Sequence, residues 1–174
     1  MATRLKGADL LHISKGHRET INHFRLGVHL SSISGLSIDE LVEVVCKDRF
    51  GYARQTLACA RWALNAPKPQ YRVVLARAYY AMYHAGRAIV FYVERGDDHE
   101  AHLELPKHLP RDLPNRDQWE NQLKNARLER NRADYDPYPK SDIAFRASAQ
   151  TTFQAAENFL RAGKRYLVRK GCDL

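Results

Sequence analysis

The sequence is poor in the residues that build disulfide scaffolds and membrane spans. It has only 3 cysteines in 174 residues, an odd number with no CxxC pair, which argues against a disulfide framework and a cysteine-rich zinc site. No segment approaches the roughly 18 to 20 apolar residues that cross a bilayer, and the first residues lack the sustained apolar stretch of a secretion signal. We therefore expect a cytoplasmic protein with no membrane association.

Glycine and proline are also scarce, at 9 and 7 residues, which argues against a collagen-like or disordered chain. The chain is 44% hydrophobic and 28% charged, and its length suits one domain with an ordinary core. Charge of one sign is in excess, because 28 Lys and Arg face 20 Asp and Glu, for a net charge of +8. This excess favours acidic partners, of which nucleic acid is the commonest, but charge alone does not decide between them.

The apolar pattern is helical throughout. Ser37 and Glu40 form a capping box that predicts a helix start, and its apolar stripe runs to Pro67, with Gly51 as a candidate break. The segment before Ser37 is weakly patterned and predicts a short amphipathic helix. The strongest helix prediction covers residues 71–94, where Gly86 is expected to mark the close approach of a neighbouring helix.

Three prolines spaced four residues apart predict a long, partly extended loop over residues 96–115. A third helix follows and should end at the D-P-Y-P sequence of residues 136–139, and the last helix should begin near Ser141. No strand pattern and no internal repeat compete with these helices. The sequence therefore predicts an all-α antiparallel bundle.

Two motifs, A-R-A-Y-Y-A-M-Y-H-A-G-R-A at residues 76–88 and R-N-R-A-D-Y-D-P-Y at residues 130–138, resemble those of small prokaryotic proteins of the HEPN superfamily. The resemblance implies a four- to five-helix bundle over residues 49–174, preceded by a partly helical extension over residues 1–48. It also implies a homodimer that places two copies of the arginine motif side by side. We expect close helix packing at the small and aromatic residues Ala81, Tyr83, Ala85 and Gly86.

In many relatives the motif arginine is followed, after four to six residues, by a histidine, and the pair cleaves RNA without a metal. Histidine takes the proton of a ribose 2′-hydroxyl, and arginine stabilises charge on the phosphorane. Arg130 matches this arginine and Asn131 its polar follower, but Tyr135 occupies the fifth position after Arg130, and no histidine follows His108. With reference pKa values of about 10 and about 3.9, Tyr135 and Asp134 are poor bases. Arg130, Asp134 and Tyr135 are the candidate catalytic residues of a motif whose activity is left open.

A second set of residues is predicted to bind RNA or nucleotide, through arginine contacts to phosphate and tyrosine stacking on bases. It comprises Arg127, Asn131, Tyr138, Tyr80 and His84. A structural role explains the arginine motif equally well: an Arg–Asp pair and a Tyr hydroxyl would tie the helix end to the preceding turn. For Tyr80 and His84 the packing alternative is favoured.

Histidines in the acidic loop suggest two further sites, neither of which is well supported. Arg95 and His102 match the Arg-x6-His spacing, and we interpret that match as chance. His99, His102 and His108 fit no specific metal-binding motif, so the prediction is that the protein has no metal and no cofactor.

Two functions compete at this point. The first is a HEPN protein that acts on or binds RNA or nucleotide, as the toxin component of a pair with a minimal nucleotidyltransferase antitoxin. In such pairs a tyrosine near the motif histidine receives AMP from the partner, and Tyr135 or Tyr138 would be that tyrosine here. The second is a non-catalytic interaction module whose cleft binds RNA, nucleotide or a protein partner, which the missing histidine favours.

Overall fold

The computed structural model describes residues 7–174, and within that range it contains six α-helices and no strand. The helices are α1 (Gly7–Ser14), α2 (Arg18–Ser34), α3 (Ile38–Leu64), α4 (Tyr71–Glu94), α5 (Arg116–Tyr135) and α6 (Arg146–Arg169). Short 3₁₀ helices occupy Leu105–His108 and Asp142–Phe145. The prediction of an all-α fold is confirmed. Within the described range, no helix is both long and apolar enough to span a membrane.

The chain divides into two compact units, Met1–Leu41 and Val42–Leu174. The first contains α1 and α2, and α2 buries none of its side chains. The second contains the hydrophobic core, because 34 apolar side chains in it are buried together. The predicted division into an extension over residues 1–48 and a bundle over residues 49–174 remains a prediction.

The start of α3 follows from its capping box. The backbone N–H of Ser37 donates to Glu40 Oε2 at 2.7 Å, and the N–H of Glu40 donates to Ser37 Oγ at 3.2 Å. The expected break at Gly51 does not occur, because α3 is continuous through it. Glycine costs about 1 kcal/mol relative to alanine inside a helix, and the burial of Phe50, Ala53 and Leu57 on the same helix outweighs that cost.

Contacts between helix ends show that the bundle is antiparallel. Near the start of α3, Cys46 Sγ lies 3.5 Å from the carbonyl oxygen of Ala88, towards the end of α4. Arg72, at the start of α4, bonds the carbonyl oxygen of Ala133 at the end of α5. The exception is the α4–α6 pair, which runs in parallel and packs so closely that a Cβ at Gly163 would lie 2.9 Å from Ile89.

Gly86 also marks a close approach, but the neighbour is not the helix that the sequence led us to expect. A Cβ at Gly86 would lie 3.3 Å from Leu105 Cδ2, in the 3₁₀ helix of the loop between α4 and α5. Leu105, Leu109 and Leu113 are all buried, so this loop, predicted to be partly extended, packs on the bundle. Its residues 98–102 are thereby held against α4.

Candidate functional site

Arg130 on α5 lies at the centre of a group of polar contacts. Its Nη2 donates a short hydrogen bond to the hydroxyl of Tyr80 on α4, and its Nη1 donates to Asn131 Oδ1 at 3.0 Å. Its Nε lies 2.8 Å from Asp134 Oδ2 as an ion pair, although the N–H does not point along the line to that oxygen. The guanidinium is thus fixed by two residues of the motif, Asn131 and Asp134, and by Tyr80 on the facing helix α4.

These contacts do not use all of the arginine's hydrogen-bonding capacity. A guanidinium carries five N–H donors in a fixed plane. Nη1 and Nη2 donate to Asn131 and Tyr80, and the Tyr135 side chain is a further hydrogen-bond partner. The donors that remain can bind a phosphate. Burial alone would lower the pKa of Arg130, but Tyr80, Asp134 and Tyr135 raise it further than burial lowers it, so the charge is secure.

Tyrosine and histidine rings from α4 form a continuous cluster beside Arg130. The Arg130 Cζ lies 5.0 Å from the ring centroid of Tyr80, and Tyr80 stacks on His84 with centroids 6.2 Å apart. Tyr83 packs edge-on against His84 at 5.3 Å. Burial first, then the charges of Arg87, His102 and Arg49, lower the pKa of His84 to about 4, so His84 is neutral at pH 7.

The loop after α4 brings one more histidine into this cluster. The ring of His102 lies 4.3 Å from that of Tyr83, centroid to centroid, and its Nδ1 lies 2.6 Å from the hydroxyl oxygen of Tyr79. Burial first, then the charges of Arg130, Arg127 and Arg87, lower the pKa of His102. In the sequence, His102 stands out through its spacing from Arg95, which we interpret as chance, and as one of three histidines in the long acidic loop. Its proximity to Arg130 arises from tertiary folding, which neither signal predicts.

Most of the predicted site residues meet, but not all. Arg130, Asn131, Asp134 and Tyr80 are in contact, and Tyr135 lies beside them, with its ring centroid 5.5 Å from Arg130 Cζ. Tyr135 is 70% exposed. Arg127 is close enough for its charge to act on His102 and Tyr79. Tyr138 points elsewhere, because its ring packs against the amine of Lys140 at 5.9 Å.

Arg72 is a second arginine that the sequence did not single out, and it holds the end of the motif in place. Its guanidinium donates to the carbonyl oxygens of Ala133, Asp136 and Pro139 at 2.5, 2.9 and 2.8 Å. These carbonyls lie at the end of α5, where a helix leaves its last acceptors without partners. Arg72 therefore fixes the turn that carries Tyr135.

Asp98 performs the corresponding role for the loop. It is only 8% exposed, and its Oδ2 accepts from Arg87 Nε at 2.9 Å and Arg87 Nη2 at 2.6 Å. Arg49 Nη1 lies 2.6 Å from the same oxygen. One carboxylate thus ties residues 98–102 to both α3 and α4, and the hydroxyl of Tyr83 adds a short hydrogen bond to the carbonyl oxygen of Glu100.

Within residues 7–174, one group of side chains resembles a metal-ligand set. Ligand atoms of Glu94, His99 and His108 all lie within 4.8 Å of one another, and two imidazoles with a carboxylate are donors that zinc accepts. However, the two rings are stacked with centroids 3.3 Å apart. Both would have to rotate before their nitrogens converged on one ion.

The arrangement as a whole suits the binding of a nucleotide, because arginine can bind the phosphate and aromatic rings can stack on the base. A fixed guanidinium and a second arginine lie beside a set of aromatic rings, and the cluster includes one exposed neutral histidine, His102. The family model described as the HEPN domain matches residues 46–166. Comparison with curated proteins and with solved structures gives no significant match.

Proposed function

We propose, since the chain belongs to the HEPN domain family, that it binds RNA through the Arg127–Arg130 face of α5 and the adjoining tyrosines of α4. The family supports a function related to RNA or nucleotide, and the positive net charge of +8 favours a polyanion over a mononucleotide. The phosphate contacts would come from Arg130 and Arg127, and base stacking from Tyr135.

The observation that carries this proposal is the state of Arg130. Three contacts fix its guanidinium beside the Tyr80 ring, and its charge is maintained by Tyr80, Asp134 and Tyr135. Its partners are side chains, whereas Arg72 donates to three backbone carbonyl oxygens. Tyr135 points away from the core and is 70% exposed, which supports a role in contacting a ligand.

Binding to a fluorescein-labelled single-stranded RNA, followed by anisotropy, tests the proposal. Replacing Arg130 by alanine should weaken binding by about tenfold or more, because hydrogen bonds to charged groups contribute about 1.5 kcal/mol or more. Arg161→Ala is the matched control, since it removes the same charge from an exposed position on α6. Equal affinities of the two variants would refute the proposal.

We also propose that the functional form is a homodimer. The residues first expected at its interface, Ala81, Tyr83, Ala85 and Gly86, are buried in the chain's own core. An interface must therefore use exposed apolar side chains, of which Trp62, Leu128 and Ile143 are 57% exposed or more. Sedimentation that gave only a 20.0 kDa species at micromolar concentration would contradict the dimer.

The pairing with a minimal nucleotidyltransferase, as a toxin with its antitoxin, belongs to the same proposal. AMP on Tyr135 would place a bulky anion beside Arg130 and neutralise the charge that holds RNA phosphate. The exposure of Tyr135 supports this target over a buried one, and Tyr138 is accessible as well. After co-expression with an adjacent nucleotidyltransferase of proven activity, mass spectrometry should find AMP on the peptide that contains Tyr135, and an unmodified peptide would exclude the pairing.

A further inference from the structure

His102 and Arg130 both lie close to one tyrosine ring, although 28 positions of the sequence separate them. The centroid of the Tyr80 ring is 5.0 Å from Arg130 Cζ and 6.1 Å from the centroid of His102. The sequence contains no histidine after His108, so the motif on α5 has none. The loop between α4 and α5 therefore brings an imidazole into the neighbourhood of Arg130.

Two tyrosines of α4 hold the imidazole of His102 in place. Its Nδ1 is bonded to the hydroxyl of Tyr79 at 2.6 Å, and its ring packs on Tyr83. The loop itself is anchored through Asp98 and through the carbonyl oxygen of Glu100. The residue as a whole is exposed. His102 is thus a histidine with one nitrogen hydrogen-bonded and its ring packed, in an exposed position.

We propose that His102 is the general base of an RNA-cleaving site, and that Arg130 binds the phosphate of the scissile bond. This proposal rests on the RNA binding proposed above and adds an activity to it. The base comes from the α4–α5 loop instead of the fifth position after Arg130, where Tyr135 stands.

The step conserves atoms and protons. With Nδ1–H donating to the Tyr79 hydroxyl oxygen, Nε2 of His102 carries the lone pair that takes the proton of a ribose 2′-hydroxyl. The 2′-oxygen forms a bond to phosphorus, and the bond from phosphorus to the 5′-oxygen breaks. The leaving 5′-oxygen takes a proton from water, and the charge on the phosphorane is stabilised by Arg130. The products are a 2′,3′-cyclic phosphate and a 5′-hydroxyl.

The surroundings of His102 keep it neutral, as a base must be before it acts. From α4 it faces Tyr79, Tyr80, Tyr83 and the cation of Arg87, and from α5 it faces Arg127 and Arg130. His84 belongs to the same cluster and is neutral at pH 7, so it supplies no negative charge that would raise the pKa of His102. Burial and these cations lower the pKa of His102, so the neutral form is present at pH 7.

Other side chains near Arg130 are weaker candidates for the base. Asp134 is paired with Arg130 at 2.8 Å. The pKa of His84 is lowered to about 4, which makes it a poor proton acceptor. The hydroxyl of Tyr80 is bonded to Arg130. His102 alone among these combines a neutral ring, a hydrogen-bonded nitrogen and an exposed position.

The test uses the full chain, a labelled single-stranded RNA and EDTA throughout. We expect cleavage with cyclic phosphate ends by the wild type, and a loss of about 100-fold or more in His102→Gln, since general base catalysis contributes about 10²–10⁴-fold. RNA binding by His102→Gln should change less than about threefold. His23→Ala, which removes an exposed histidine of α2, is the matched control and should cleave normally.

Two further measurements separate a base from a structural residue. Added imidazole should restore part of the cleavage to His102→Gly but none to Arg130→Ala. The acidic limb of the wild-type kcat/KM profile should lie below pH 6.5, the ordinary histidine value. Tyr79→Phe, which keeps the packing but frees Nδ1, should slow cleavage by about tenfold.

The possible results are distinct. RNA binding without cleavage by the wild type, or equal cleavage by wild type and His102→Gln, overturns this inference and leaves the proposed RNA binding intact. Absence of RNA binding by the wild type overturns the proposed function itself. Cleavage that is abolished in His102→Gln and rescued by imidazole in His102→Gly supports both.

Discussion

Two carboxylates hold arginines near the tyrosine–histidine cluster, and they do so differently. Asp98, in the loop, is buried and binds both Arg49 and Arg87. Asp134, in the motif, is about one-third exposed and pairs with Arg130 alone. Within residues 7–174, Arg127 has no carboxylate at ion-pair distance.

The difference separates structural arginines from those available to a ligand. A carboxylate that is buried between two guanidinium groups neutralises their charge and fixes a loop. Little positive electrostatic potential then remains to attract a phosphate. On the α5 side the positive charge exceeds the negative charge, and the exposed Tyr135 lies beside it. We therefore expect the Asp98 side to determine stability and the Arg130 side to determine binding.

The largest expected effect is on stability at the Asp98 side. Asp98→Ala removes the carboxylate that pairs with Arg49 and leaves Arg87 with only the exposed Glu100, at 3.7 Å. Removing one partner of a buried ion pair costs about 3–5 kcal/mol, and because the arginines are partly exposed we expect a loss of about 3 kcal/mol in the free energy of unfolding. Urea unfolding measures it.

A matched control for that change is Asp117→Ala. Asp117 pairs with Arg116 at 3.0 Å, but its side chain is 88% exposed, so the loss should stay under about 0.5 kcal/mol. If both variants lost the same stability, the distinction between a buried and an exposed carboxylate would have no energetic basis here.

A somewhat smaller effect is expected where the motif is anchored. Arg72→Met keeps much of the apolar stem but loses three hydrogen bonds to carbonyl oxygens, which should cost about 2 kcal/mol of unfolding free energy. Hydrogen exchange should also speed up over residues 133–139. Arg77→Met, at an exposed position of α4, should leave both unchanged. Unaltered exchange in Arg72→Met would show that other interactions hold the turn.

How much of this the sequence predicts depends on whether an interaction is local. The Ser37–Glu40 capping box, the bounds of α4 and the end of α5 at the D-P-Y-P sequence are set within a few residues, and all are confirmed. The continuity of α3 through Gly51 and the contact of Gly86 with Leu105 depend on packing. The predicted break at Gly51 was wrong, and the predicted close approach at Gly86 is confirmed, but its neighbour is the 3₁₀ helix of the α4–α5 loop. His102, Asp98 and Arg72 are placed by contacts across elements, which no local spacing encodes.

A third prediction concerns pH and the shared cluster. The pKa of His84 is lowered to about 4 in the folded state, against about 6.5 in an unfolded chain. Between these values the unfolded state binds more protons, so stability is complete above pH 6.5 and falls as the pH drops to 4. Because the ring is partly exposed, we expect His84 to contribute about 1–2 kcal/mol of that fall.

Urea unfolding of His84→Gln at several pH values tests this directly. The variant should lose less stability than the wild type between pH 6.5 and 4, while the contributions of the carboxylates, common to both, cancel in the difference. Identical pH dependences would mean that Arg49, Arg87 and His102 do not act on His84 as the structure places them.

The smallest expected effect is the sharpest test of which side binds RNA. Arg127 has a charge that reaches His102 and Tyr79, and it makes none of the ion pairs that hold Arg87 in place. Removing one arginine that binds a phosphate should reduce the slope of log K against log salt by about 1. Arg127→Ala should therefore bind RNA with a slope shallower by about 1 and unfold at the same urea concentration as the wild type. Arg161→Ala should change neither quantity. An unchanged slope in Arg127→Ala, with normal stability, would mean that Arg127 does not bind an RNA phosphate. The distinction between a stabilising Asp98 side and an RNA-binding Arg130 side would then be wrong.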